Sequence, residues 1–92
     1  MATLTNSEPA IWARLIEPET GDLEPTAARY ILQLDFTDLD RRRMNELAAK
    51  ARMGTLTDEE QAEIDSYNHV SHSLALLQSK ARKSLKLAGL DA

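Results

Sequence analysis

The chain has 92 residues, 42% of them hydrophobic but only 4% aromatic, so any core must be built from Leu, Ile and Ala. It has no cysteine, which excludes disulfides, thiolate metal sites and thiol nucleophiles. No apolar run reaches the roughly eighteen residues of a membrane span and no basic-then-apolar leader opens the chain. The expectation is a cytoplasmic, non-membrane protein with one small domain over residues 1–92.

The net charge of −4 is unevenly spread. Residues 1–40 carry −6, residues 41–57 carry +4, residues 58–66 carry −5, and residues 67–92 carry +3. Two basic blocks therefore exist, at 41–52 and 80–86, without the uniformly basic surface of a nucleic-acid binder.

Breakers divide the chain into four predicted helices, at about 8–17, 25–35, 38–53 and 58–88. The first opens with Ser7 as N-cap and Pro9 in the first turn, where a missing N–H costs little. Ile11, Trp12, Leu15 and Ile16 recur at helical spacing, and Pro18 limits continuation. A turn at Gly21 leads to the second helix, which has Pro25 at its first position and turns Ala28, Ile31, Leu32 and Phe36 inward.

Thr37 caps the third helix, with Asp40 three residues later as a short version of the capping-box acid. Gly54 supplies its left-handed end. Leu39, Arg43, Leu47 and Ala51 share one face, with Met44 and Ala48 beside them. Thr57 and Glu60 form the S/T-x-x-E box that starts the fourth helix, and Asp58, Glu59 and Glu60 complement the helix dipole. Neither Gly nor Pro interrupts the sequence until Gly89.

The fourth helix carries an apolar row at coiled-coil-like steps: Ile64, Tyr67, Val70, Leu74, Leu77, Ala81, Leu85 and Ala88. Residues 54–57 are too short a link for anything but an antiparallel return. The predicted fold is all-α, with two short N-terminal helices and a long asymmetric antiparallel helical hairpin. Helix three runs out near residues 72–75 of its partner, and the row beyond needs another cover, from helices one and two or from a second chain.

Candidate chemistry is sparse. "TLTDEEQAEID" resembles the start of a calcium-binding helix, but Glu63 falls where a calcium loop needs Gly. A start at Asp35 puts Glu46 at the twelfth position but Leu39 and Asp40 at the fifth and sixth. Asp65, His69 and His72 lie on adjacent turns, short of the three or four well-placed ligands of a stable metal site and without a second ligand cluster. The serines Ser71, Ser73, Ser79 and Ser84 have no nucleophile-elbow context, and no glycine loop exists to cradle phosphate. The expectation is a non-enzyme with no metal and no cofactor.

The blocks "LAAKARMGTLTDEEQAEIDSY" and "LALLQSKARKSLK", with "WARLIEP" and "AARYILQLDF" before them, resemble a family of small uncharacterised bacterial all-helical proteins. Members of that family are often encoded beside HNH-type endonucleases. The likeness covers nearly the whole chain and implies a partner or regulator of such a nuclease, with no catalytic residues to carry over. The chain departs from the family in having Glu24, a weaker cap, before Pro25 where Ser is usual, and in His69 and His72.

The functional expectation is a protein–protein interaction module that uses the last helix, with a second copy or an HNH-type nuclease as partner. Leu74, Leu77, Ala81 and Leu85 would supply contact area, and Lys80, Lys83 and Lys86 would orient an acidic surface. Trp12 either anchors helix one in the core, the favoured role, or joins the contact. The alternative is a small DNA-binding or transcription accessory protein using segments 41–52 and 80–86.

Overall fold

The computed structural model describes residues 6–90. Those residues form four α-helices and no strand: α1 (Glu8–Ile16), α2 (Pro25–Gln33), α3 (Asp38–Met53) and α4 (Asp58–Leu87). No helix among the described residues is long and apolar enough to cross a membrane. Contacts group the chain into two compact units, one of residues 35–71 and one of the segments on either side. Helix α4 contributes its first half to the former and its second half to the latter.

The helix starts follow the local sequence. Ser7 Oγ accepts from Ala10 N, and Glu24 caps α2 with no side-chain hydrogen bond. Thr57 and Glu60 close a reciprocal box, with Glu60 N donating to Thr57 Oγ1 at 3.1 Å and Thr57 N donating to Glu60 Oε1 at 3.0 Å. At Thr37 the box is incomplete. Asp40 N donates to Thr37 Oγ1, but the shorter Asp side chain accepts from the Thr37 hydroxyl and not from its backbone.

Three helix ends come earlier than the spacing predicts, that of α4 by a single residue, at Leu87. Glu17 sits at a left-handed φ of 51° as the cap of α1, ahead of Pro18, which disfavours a helical residue before it. Helix α2 stops at Gln33 because Leu34 is extended, and Gln78 of α4 donates its side-chain amide to the carbonyls of Ile31 and Leu34. That bond satisfies acceptors that a longer helix would have paired internally.

In the unit of residues 35–71, α3 and the first half of α4 are held together mainly by charge. Arg43 makes a two-pronged contact to Glu63, Nε to Oε2 at 2.8 Å and Nη2 to Oε1 at 2.7 Å, and also reaches Glu46. Lys50 donates to Glu60, and Tyr67 donates its hydroxyl to Asp40 at 2.8 Å. Phe36 meets Tyr67 edge to face. The one hydrophobic side chain fully buried here is Leu47, at 1% exposure. Leu39, expected on the inner face, is 76% exposed. The Arg43 and Asp40 contacts place the α4-facing side of α3 one row away from it.

The other unit has a small aliphatic core of Ala28, Ala81 and Leu85, with Leu23, Ile31 and Leu32 packed on it. Alanine at both 28 and 81 leaves the two helix backbones free to approach closely. The α1–α2 link lies equally close. A Cβ on Gly21 would stand 2.7 Å from Leu87 Cδ1 and 3.2 Å from the Lys83 backbone, which is the physical reason for glycine there.

Candidate interaction surface

The row of α4 expected to remain open is partly sealed by the chain itself. Ala81 is fully covered and Leu85 is 1% exposed, both against α2 and the segment before it. These two are therefore core residues of the free chain and cannot supply contact area as anticipated. Leu74 and Leu77 are half-buried.

Lys80 is a second correction. Its side chain is only 11% exposed, and Nζ donates to the Ile16 carbonyl at 2.6 Å and to Asp22 Oδ1 at 2.9 Å. The ammonium covers an orphan acceptor at the C-terminal end of α1, where the helix dipole favours a cation. Its hydrogen bond holds the Asp22 carboxyl below the ordinary carboxylate range. Lys80 is a clamp between elements and is not available to orient a partner.

Ser84 completes that clamp. Its buried hydroxyl donates to the Lys80 carbonyl at 2.8 Å and accepts from Leu23 N at 3.1 Å. The only sequence signal for such roles was the presence of a lysine and a serine at the edge of an otherwise apolar row, four residues apart. Lys83 and Lys86, by contrast, are exposed as expected. With Arg82 and Leu87 they line an open depression of about 610 Å³, and Leu87 is itself exposed. Trp12 is 40% exposed, beside exposed Ile11 and Leu15, so in α1 only Ile16 is buried. The favoured core role for Trp12 is therefore corrected to a surface one.

A second open surface lies on α3 and the first half of α4. Met44, Leu47, Ala48, Ala51, Ile64, Tyr67 and Asn68 line a mainly apolar groove of about 270 Å³. A neighbouring depression is walled by Asp35, Phe36, Asp40, Glu63, Tyr67 and Val70, and is ringed by acids. The charges beside it are strongly tied. The Lys50 and Thr57 hydrogen bonds bring the Glu60 carboxyl down to about 2, Arg43 lowers Glu63 and is itself raised, and Asp40 raises the Tyr67 hydroxyl. This is a structural network in which every participating group already has a partner.

Of the basic block 41–52, Arg41 pairs with Asp35, Arg43 with Glu46 and Glu63, and Lys50 with Glu60. His69 and His72 are exposed, and Asp65 accepts from Gln61. Among the described residues no group of three or more His, Cys, Asp or Glu side chains is placed to hold a metal ion. No family model, no curated protein and no solved structure matches the chain.

Proposed function

We propose that this chain is a non-enzymatic interaction module. Its architecture is two short N-terminal helices with a long asymmetric antiparallel hairpin of α3 and α4, and the last turns of α4 hold an acidic protein partner. The observation that carries this reading is the exposed set Arg82, Lys83 and Lys86 around exposed Leu87. Cations bordering an apolar contact steer an acidic partner and fix its register. Half-buried Leu74 and Leu77 and exposed Trp12 are further candidates for the contact.

The resemblance makes an HNH-type nuclease the partner to test first, with a second copy of the chain as the other form. A DNA-binding role is the weaker reading, because the main cations of segment 41–52 are engaged by acids within the chain. The test is co-purification from the native host with an HNH-type nuclease, by way of a tag on this chain. Retention by the wild type and loss in the Lys83→Glu/Lys86→Glu variant is the expected result. Wild-type chain that brings down no such nuclease would overturn the nuclease form.

A further inference from the structure

We infer that the groove between α3 and the first half of α4 docks the same groove of a second copy, forming a four-helix bundle whose two-fold axis runs along the hairpin. This is a different face from the basic end of α4 and does not rest on it. A layer of two helices can cover apolar residues only on the side where the helices meet, and the remaining face needs another layer. Here that face holds half-covered Met44 and Ile64 and exposed Ala48 and Ala51, which together with Leu47 line the groove. The two alanines leave room for a facing helix to approach.

The charges at the groove's rims select the occupant. On α3 the row beside the groove runs Asp38, Arg41, Asn45, Ala48, Arg52, by steps of three and four. On α4 the corresponding row runs Asp58, Gln61, Asp65, Asn68. Arg41 is already shared with Asp35 of its own chain, so the basic charge of the α3 rim lies at Arg52, against Asp58 and Asp65 on the α4 rim, and at Arg52 the surface is complementary to itself once it is turned about the long axis. That operation sets α3 of each copy against α4 of the other.

The heights match as well. Within the chain Lys50 stands opposite Glu60, Arg43 opposite Glu63, and Asp40 opposite Tyr67. Arg52 is therefore level with residue 58 and Arg41 with residues 65–66. In the second copy these levels are occupied by Asp58 and Asp65. The end-for-end alternative stacks α3 on α3 and α4 on α4 and brings Asp58 against Asp65, a like-charge arrangement that opposes it.

Sedimentation equilibrium of the full chain, up to high micromolar concentration, tests the proposal. A concentration-dependent dimer is expected, weakened at least roughly a hundredfold by Ala48→Glu, which forces an unpaired carboxylate into an apolar contact. The Lys83→Glu/Lys86→Glu variant should leave that dimer unchanged, which separates this face from the one at the end of α4. A wild-type monomer at every concentration, or a dimer indifferent to Ala48→Glu, would overturn the inference.

If Ala48→Glu loses its helical circular dichroism, the readout passes to Arg52→Glu, which should weaken the dimer, and to Arg52→Glu with Asp58→Arg, which should restore it. Failure of the double variant to restore would count against the pairing. Because the chain has no cysteine, Arg52→Cys chains mixed with Asp58→Cys chains should oxidise to a mixed disulfide. Cross-linking of Arg41→Cys with Arg52→Cys instead would establish the end-for-end arrangement and refute the one proposed.

Discussion

The two units of this protein are stabilised by different means, although α4 serves both. Residues 35–71 rely on ion pairs, with Leu47 as the single deeply buried hydrophobic side chain. The flanking unit relies on Ala28, Ala81 and Leu85, and on polar side chains that bond to backbone groups: Lys80 to Ile16, Ser84 to Leu23, and Gln78 to Ile31 and Leu34. The first strategy depends on ionisation and salt. Apart from the Lys80 ammonium and its partner Asp22, the second does not.

The sharpest way to break the comparison is to cut each core at its centre. Leu47→Ala and Leu85→Ala should each destabilise by about 2–5 kcal/mol, the range for a fully buried leucine, measured by chemical denaturation. Hydrogen exchange should assign the larger loss of protection to α3 in the first variant and to α2 in the second. Uniform loss in both would show that the two cores have no separate identity.

Smaller in effect is Ser84→Ala, which leaves Leu23 N and its surroundings short of an acceptor. A cost of about 1–3 kcal/mol is expected for an orphaned part-buried donor. The exchange of the Leu23 amide should quicken more than that of its neighbours. An unchanged Leu23 amide would show that the hydroxyl is not its partner.

The difference in ionisation can be read by lowering the pH. Glu60 has an ordinary value of 4.5 but stands at about 2 in the folded chain, so its contribution is complete above 4.5 and fades as pH falls toward 2. Glu63 is displaced in the same direction by Arg43. Glu60→Gln should therefore melt below the wild type at neutral pH, and the two melting curves should converge as pH falls from about 4.5 toward 2. A gap that stays constant across that window would remove the ion network as the basis of this unit's stability.

Helix positions were legible because caps are local. Ser7, Thr37, Thr57, Gly54 and the prolines act within one turn, and the structure places helix starts where they stand. Side-chain roles were less legible, because they depend on partners distant in sequence. Lys80 reads as a surface cation until the Ile16 carbonyl, 64 residues away in the chain, is seen to need a donor. Leu85 and Ala81 read as an open ridge because nothing in their own helix reveals that Ala28 will sit on them. Trp12 reads as a core anchor, whereas the core centre is made of Ala28, Ala81 and Leu85 and Trp12 stays 40% exposed.

Sequence separation also sets an order of assembly. The side-chain hydrogen bonds between α3 and α4 bridge ten to twenty-seven positions, whereas those from α4 to residues 16–34 bridge forty-four to sixty-four. Short loops close at less entropic cost, so the inner pair of helices has the kinetic advantage. During synthesis, α1 and α2 leave the ribosome first yet lack a docking surface until residues 80–85 have followed. Of the four helices, the two made first are the two that settle last.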